Sequence, residues 1–252
     1  MRNRLLNLSP SVTSRAFVAL VIAAGILVAM AMGVPLRDPR LWFWIVACGI
    51  GEMLWLRLPL GRATLSMGST SNFAALLVLP VQVAVPAATL ASICVELAIM
   101  RKPAVRVLFN AAGTALAVAA AGSMLHALAP HGPFVLRDAG LFAVLVASAV
   151  TYYAVNRGLV STVLALDGAL PVTLVWQRNF GWRRDVFASG AALSLGVLVA
   201  DLHQQTGPVA ILFVLLPTII VFEAHRRLYA MSSARPAPAE LTPEPTAKAV
   251  NE

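Results

Sequence analysis

The sequence predicts an all-α integral membrane protein: a polytopic helix bundle of about eight spans, with both termini in the cytoplasm. Charged residues make up only 12% of the 252 residues, whereas a soluble domain carries about 25%. Hydrophobic residues make up 59%, and they gather in runs that approach the roughly 17–25 residues needed to cross a hydrocarbon core. Together with the mean hydropathy of +0.81, these observations indicate one membrane domain rather than a soluble core with an anchor.

The first two apolar runs are long enough to span. Run 16–36 follows a short basic segment and could be mistaken for a signal peptide, but its length favours an uncleaved helix. Run 41–56 begins with the letters LWFW, and tryptophan prefers the membrane–water interface. Both runs are therefore predicted to be membrane-spanning helices.

A polar loop and a broken hydrophobic segment come next. Residues 57–71 are polar and rich in glycine and serine, which is typical of a loop. Run 72–80 is short and ends at Pro80, so it is either a short span or half of a re-entrant hairpin. Run 83–100 then returns to a basic turn. The alternative to eight spans is therefore six spans plus a re-entrant hairpin at 72–100.

The second half of the chain contains four further runs and one mixed segment. Residues 107–129 and 139–156 are predicted spans, separated by a turn that contains two prolines. Residues 158–184 mix apolar, charged and aromatic side chains and are expected to form a helix end and an interfacial segment. The last two spans are 186–202 and 208–224.

The basic residues determine the predicted orientation. With the N-terminus inside, the segments on the cytoplasmic side hold 16 of the 19 lysines and arginines. Only this arrangement collects the positive charges on one side, as the positive-inside rule requires. The chain thus divides into a cytoplasmic N-terminal segment (1–15), a transmembrane domain (16–231) and a cytoplasmic tail (232–252). The composition of the tail, rich in proline and alanine, predicts disorder.

Five polar residues are predicted to lie near the cytoplasmic boundary: Glu52, Glu96, Asn110, Asn156 and Glu223. Ionisable groups at membrane depth cost about 2.5–3.5 kcal/mol each on insertion scales and are functional candidates for that reason. The simpler interpretation is that each glutamate pairs with a basic residue just beyond it. These basic residues are Arg57, Arg101, and the pair Arg226 and Arg227. The other interpretation is a shared belt that responds to protons or a ligand.

A second group of candidates is expected on the opposite, exoplasmic side: His126, His131, Asp201 and His203. Asp201 and His203 could supply two metal ligands. Histidine has an unperturbed pKa of about 6.5, so a histidine on this side could sense the external pH. The sequence does not show that these residues converge. We therefore interpret them as solvated loop residues and predict no metal site.

The chain lacks the common catalytic and nucleotide-binding motifs, and its cytoplasmic segments are too short to hold a catalytic domain. The sequence therefore predicts neither an enzyme nor a cofactor. The net charge of +8 is dispersed between apolar runs, so it does not form the basic face that nucleic-acid binding requires.

Four segments carry a resemblance to a known family: LGRATLSMGSTSNFAALLVLP, LAIMRKPAVRVLFNAAGTALA, TYYAVNRGLVSTVLAL and VLLPTIIVFEAHRRLYA. In order and character, they resemble the N-terminal multi-span (MASE-like) sensor region of bacterial HD-GYP and GGDEF signalling proteins, over residues 50–230. In that family the last helix leads into a cytoplasmic output domain, whereas here a short tail follows. The resemblance implies a sensing module and supplies no catalytic residues.

These observations predict a stand-alone sensor-like or signalling-accessory domain in the bacterial inner membrane. It would perceive a membrane or small-molecule cue and transmit the signal to a separate partner. The chain could also form a homo-oligomer. Two alternatives remain: a small-solute carrier or transporter subunit, in which the broken segment 72–80 lines the solute site, and a structural membrane protein without a ligand.

Overall fold

A computed structural model describes residues 11–57, 64–129, 139–179 and 182–209, together with residues 211, 214, 216–221, 223–224 and 227. The helices are α1 (Val12–Met32), α2 (Pro39–Met53), α3 (Gly68–Val78), α4 (Val81–Cys94), α5 (Ala104–Leu128), α6 (Ala139–Gly168), α7 (Val172–Asn179) and α8 (Trp182–Thr206). A π-helical turn, Val95–Ile99, continues α4. Every position that the structure describes from 216 to 224 is also helical.

Five helices are long and apolar enough to cross a membrane, counted over the described residues: Val12–Met32, Val81–Ile99, Ala104–Leu128, Gly140–Gly168 and Asp185–Thr206. The prediction of a predominantly helical fold, with several helices compatible with a membrane protein, is therefore confirmed. Two other predicted spans are short in the structure: α2 has 15 residues, and α3 has 11, slightly more than the run 72–80 that the sequence predicts. At a rise of 1.5 Å per residue, α3 is only about 16 Å long.

The structure departs from the predicted loop at 57–71. Strand β1 (Trp55–Arg57) pairs antiparallel with β2 (Thr64–Ser66), with Trp55 opposite Ser66, and α3 begins at Gly68. In the second half, α6 extends twelve residues beyond its expected end at 156, and α7 occupies the predicted interfacial segment. The tail 232–252 and residues 1–10 lie outside the described part of the chain.

Local sequence explains where the first two helices begin and end. The Ser11 hydroxyl accepts a hydrogen bond from the Ser14 N–H at 3.1 Å, and α1 ends at Gly33, whose positive φ of 70° suits glycine. Asp38 caps α2 by accepting from the Arg40 N–H at 2.9 Å. The Arg40 guanidinium also bonds the Asp38 carboxylate at 2.8 Å, and this hydrogen bond lowers the pKa of Asp38 below its ordinary value.

The short helix α3 lies inside the bundle, where it packs against α2, α4 and α8. Its residues Phe73, Ala74 and Ala75 are fully buried. Helices α4 and α5 pack closely through small residues, and a β-carbon at Gly122 would lie only 2.6 Å from Val81. In contrast, α1 packs against α5 at the periphery and leaves much of its apolar surface exposed, for example at Leu20 and Met30.

Neighbouring helices in the centre of the bundle run antiparallel. The start of α4 at Val81 meets the end of α5 at Gly122, whereas Glu96 at the other end of α4 meets Asn110 near the start of α5. We call the end that holds Glu96, Lys102 and Arg157 the basic end. The buried alanine, valine and leucine side chains of α3, α4 and α5 fill the bundle beyond it.

Candidate functional site: a polar cavity at the basic end

A cavity of about 190 Å³ lies at the basic end. Its wall is formed by the end of α2, the start of α3, the π-helical turn, and the facing sides of α5 and α6. The charged and amide side chains on this wall are Glu52, Asn72, Glu96, Asn110, Asn156 and Arg157. Such a concentration of polar groups beside an apolar core requires internal partners, because desolvation of each group is costly.

The Glu96 carboxylate is held by two donors. Lys102 Nζ lies 2.6 Å from Oε1, and Asn110 Nδ2 contacts Oε1 at 2.8 Å and Oε2 at 2.9 Å. The Glu96 side chain is 8% exposed. The backbone closes the same turn, because the Lys102 N–H donates to the Glu96 carbonyl at 3.0 Å and Arg101 adopts a positive φ of 51°. The turn from α4 to α5 thus fixes this carboxylate on the cavity wall.

The Glu52 carboxylate lies against the first turn of α3. A β-carbon on Gly68, the first residue of α3, would collide with both carboxylate oxygens, so glycine leaves the space that this side chain occupies. The first N–H groups of a helix have no intrahelical acceptors and carry partial positive charge, which stabilises a nearby anion. Met67 precedes the helix and offers no capping hydrogen bond from its side chain. Glu52 supplies the negative charge there instead.

Asn72 connects Glu52 to the interior of the cavity. Its Nδ2 atom donates to Glu52 Oε1 at 3.4 Å, and the residue is 1% exposed. Its Oδ1 atom is buried and accepts no hydrogen bond. Buried amide oxygens are almost always satisfied, and Asn72 belongs to the cavity wall. This oxygen can therefore accept a hydrogen bond from water or from a ligand with an N–H or O–H group.

Tyr152 forms the neighbouring part of the wall. Its ring packs edge-on against Phe73 with centroids 6.1 Å apart, and its hydroxyl interacts with the side chains of Asn72 and Ser69. The residue is 3% exposed. The same tyrosine thus belongs both to the apolar core and to the polar wall.

Arg157 extends from the cavity to α8. Its guanidinium lies 3.0 Å from Asp185 Oδ1, and the Tyr153 hydroxyl donates to Asp185 Oδ2 at 2.7 Å. The Asp185 side chain is 6% exposed and lies in the first turn of α8, where the helix dipole favours a carboxylate. The Tyr153 ring also contacts Trp176 of α7, with centroids 5.8 Å apart. A polar connection therefore joins the cavity to α7 and α8.

Four of the five predicted boundary residues come together in this cavity: Glu52, Glu96, Asn110 and Asn156. Glu223 does not line it. That glutamate pairs with Arg227 at 3.1 Å on an exposed helical turn, as the simpler interpretation predicts for it. For Glu96 the simpler interpretation named the wrong cation, because the π-helical turn brings Lys102 to the carboxylate instead of Arg101. The side chain of Arg57, the expected partner of Glu52, lies outside the described part.

The exoplasmic candidates do not form one site. Asp201 accepts from Gln205 at 2.6 Å, whereas His203 packs against Trp44 with ring centroids 5.4 Å apart. Residues two apart on a helix face different directions. His126 lies in the last turn of α5 on the wall of another cavity, and His131 lies outside the described residues. Within the described ranges, no three His, Cys, Asp or Glu side chains are placed to hold a metal.

The contact between Arg157 and Asp185, and the Tyr153 hydroxyl that completes it, are not predicted from the sequence. Their partners are 28 and 32 residues away along the chain, so no local spacing identifies them. A signal was available, because each charge lies beside an apolar run and such charges usually have partners.

Comparisons with models of protein families, with curated proteins and with solved structures find no match to this chain.

Proposed function

We propose that this chain is a sensor-like membrane module that binds a small polar molecule in the cavity at the basic end. It would signal to a partner protein whether the cavity is occupied. The observation that supports this most directly is the buried Asn72 Oδ1 atom without a hydrogen-bond partner, on the wall of a cavity with charged residues. A ligand that binds in the cavity and carries an N–H or O–H group would supply the missing donor.

In this proposal the chain crosses the bacterial inner membrane eight times. The passes are the five long helices, the short helices α2 and α3, and the helical segment after residue 208. The basic end faces the cytoplasm, because the positive-inside rule places lysine and arginine there. The ligand then enters from the cytoplasm, since the rest of the bundle beyond the cavity is filled by apolar side chains.

The ion pair between Arg157 and Asp185 provides the route to the partner. Arg157 lines the cavity, and Asp185 lies at the start of α8. A ligand that contacts Arg157 changes the balance of its pairing with Asp185 and so favours one position of α7 and α8 over another. Ligand binding shifts such an equilibrium only through different contacts in the two states, and Arg157 supplies such a contact.

A small-solute carrier is the second candidate, because α3 and α4 form a hydrophobic segment interrupted at Pro80. Broken helices line solute sites in many transporters. In this chain, however, the break at Pro80 lies at the opposite end of the bundle from the polar cavity. There it lines a second cavity, whose wall also includes Met32 and Ala129. The broken segment therefore supports a carrier less well than the cavity supports a sensor.

Hydrogen exchange on the full chain in lipid nanodiscs tests the proposal. The probe is the fraction below 1 kDa of a cytosolic extract from the expression host. We expect slower exchange at the start of α3, in the π-helical turn and at the start of α8 of the wild type. The Asn72→Leu variant should lose this protection, whereas Glu223→Gln, outside the cavity, should keep it.

Two other outcomes contradict the sensor proposal. Accumulation of extract components inside proteoliposomes made with the wild-type chain would indicate a carrier. Unchanged exchange throughout the chain, at extract concentrations matching the cytosol, would indicate a structural protein.

A further inference from the structure

We infer that an apolar groove between α6 and α8 holds one acyl chain of a phospholipid from the cytoplasmic leaflet. This groove is separate from the polar cavity, and the inference goes beyond the proposed function, since it does not depend on what that cavity binds. It uses the proposed crossing of the membrane with the basic end in the cytoplasm. The shape, wall, length and surroundings of the groove each limit what can occupy it.

The groove has a volume of about 360 Å³ and lies between two stripes of side chains. The stripe on α6 runs from Phe142 to Tyr153, and the stripe on α8 runs from Val186 to Val197. In each helix the lining residues follow the spacing of one helical face. Leu145 on this wall is buried, whereas Phe142 is 67% exposed. The groove therefore reaches from the core to the outer surface of the bundle.

The wall of the groove is apolar along almost all of its length. Among the described residues that form it, Tyr153 and Ser194 alone carry a polar group in their side chains. The Tyr153 hydroxyl is already used, because it donates to Asp185 at 2.7 Å. A polar ligand would lose its hydrogen bonds to water without replacing them on this wall, and that loss is costly. The groove therefore selects a hydrocarbon.

In a bilayer, the medium around this groove is itself hydrocarbon. Water is absent from the bilayer core, and an empty groove would deprive its wall of the dispersion contacts that a filled one makes. A β-carbon added at Gly190 would meet no atom within 4 Å, so no described side chain closes the middle of the groove. The flexible chains of the surrounding lipid are the component that can enter it.

The length of the groove matches one leaflet. From Val186 to Val197, α8 rises by about 16–17 Å, and half of a hydrocarbon core of about 30 Å is about 15 Å. One end of the groove lies at Tyr153, whose ring contacts Trp176 of α7, and both residue types prefer the membrane–water interface. That end lies beside the polar connection to the cavity, so it faces the cytoplasm in the proposed orientation. A phospholipid with its headgroup there extends its chain toward Phe142.

A helix from a second copy of this chain fits the groove less well than a lipid chain does. A helix with its side chains is about 10–12 Å in diameter, so over the same length it needs more than about three times the volume of the groove. A single acyl chain has no backbone cylinder and can lie between α6 and α8 without moving them apart. The size of the groove therefore favours the lipid.

Mass spectrometry of the intact protein tests whether a lipid is retained. The full chain is prepared in nanodiscs of palmitoyl-oleoyl phosphatidylcholine, a lipid without net charge, and is then released into detergent. We expect the wild type to retain one phospholipid and Gly190→Leu, which places a side chain in the middle of the groove, to retain none. Gly158→Leu is the matched control, because Gly158 also has open space at its β-carbon but is not one of the residues that line the groove. This control should retain the lipid.

Photoreactive lipids then show the direction of the chain. Phosphatidylcholine that carries a diazirine either next to the headgroup or at the end of one acyl chain is added in trace amounts to the nanodiscs. The first probe should label the protein near Tyr153 and the second near Phe142. Both should label several-fold more than they label the exposed surface of α1 around Leu20 and Leu27. In Gly190→Leu, labelling of the groove should fall to the level of α1.

Several results would overturn the inference. Equal retention of lipid by the wild type and Gly190→Leu, or labelling of the groove no higher than that of α1, would show that the groove meets only bulk lipid. The reverse order of the two probes would place the chain in the outer leaflet. A retained free fatty acid, or a wild-type dimer that Gly190→Leu separates, would identify a different occupant. If Gly190→Leu does not fold, the labelling of the wild type still decides.

These measurements are independent of the proposed function. None of them involves a ligand of the polar cavity, so a negative result here leaves the sensor proposal unchanged. Loss of protection by the extract in hydrogen exchange would likewise leave the lipid site unchanged.

Discussion

Replacing Glu96 by glutamine tests whether this carboxylate holds the turn between α4 and α5 together. In the structure its two oxygens receive three contacts, one from Lys102 and two from the Asn110 amide. Glutamine keeps one oxygen but places an NH₂ group where the other oxygen was, so a donor then faces a donor. The change also leaves Lys102, whose side chain is 29% exposed, without its charge partner.

The expected loss follows from these contacts. A hydrogen bond to a charged group contributes about 1.5–3 kcal/mol, and Glu96→Gln removes one such bond outright. For a chain of this size, about 1 kcal/mol corresponds to roughly 2–4 °C in Tm, so the variant should melt roughly 3–12 °C below the wild type. The assay is thermal unfolding of the detergent-solubilised protein, followed by tryptophan fluorescence.

Glu223→Gln is the matched control. Its carboxylate pairs with Arg227 on an exposed turn, with the two side chains 36% and 76% exposed. Pairs of this kind contribute about 0.2–0.5 kcal/mol, so Tm should change by less than about 2 °C.

The contribution of Lys102, the partner of Glu96, is tested by Lys102→Met. The double variant with Glu96→Gln should lose less than the sum of the two single losses, because the pair is removed only once. Equal shifts for Glu96→Gln and Glu223→Gln, or strict additivity with Lys102→Met, would refute this account of the turn.

Three further outcomes are expected. Gly25→Ala should lower Tm by several degrees, because the added β-carbon meets the backbone of Ala112. The control Gly190→Ala, which has open space at the β-carbon, should leave Tm unchanged or raise it. Equal effects of the two substitutions would show that α1 does not pack closely on α5. Asp185→Asn should lower Tm and accelerate hydrogen exchange in α7, because it weakens the contacts to Arg157 and Tyr153; unaltered exchange in α7 would argue against a link between α6 and α7. In a Cys-free background, Lys102→Cys should react with an impermeant maleimide only after permeabilisation and Gln204→Cys in intact cells, and labelling of Lys102→Cys from outside would contradict the proposed orientation.

The sequence identified the apolar helices because length and hydropathy are local properties. It also identified the break at Pro80, since proline interrupts helical hydrogen bonding. The location of Glu52, Glu96, Asn110 and Asn156 at one end of the bundle could be inferred from their distance along the chain to the nearest basic residues. Their convergence could not, because it depends on how each helix is rotated about its own axis.

Glu96 and Glu223 illustrate this limit. Both precede arginines at a similar spacing, yet one lines a buried cavity and the other lies on an exposed turn. The π-helical turn after Cys94 changes the direction of the side chains that follow, so the expected partner Arg101 is replaced by Lys102. The hairpin of β1 and β2 was also missed, because strands of three residues are too short to show an alternating pattern.

The shortness of α3 has an electrical consequence. Its first turn, with Glu52 beside it, is separated from the break at Pro80 by a helix of 11 residues, about 16 Å long, whereas the hydrocarbon core of a bilayer is about 30 Å thick. If the break lies near the exoplasmic surface, as the proposed eight passes require, the polar cavity lies part of the way across the membrane rather than at its surface. A charge that enters the cavity crosses a fraction of the transmembrane potential, which is worth about 2.3 kcal/mol per elementary charge for a full crossing at 100 mV. With the cell interior negative, polarisation opposes the entry of a cation from the cytoplasm and favours that of an anion, so occupancy of the cavity by a charged ligand would depend on the membrane potential.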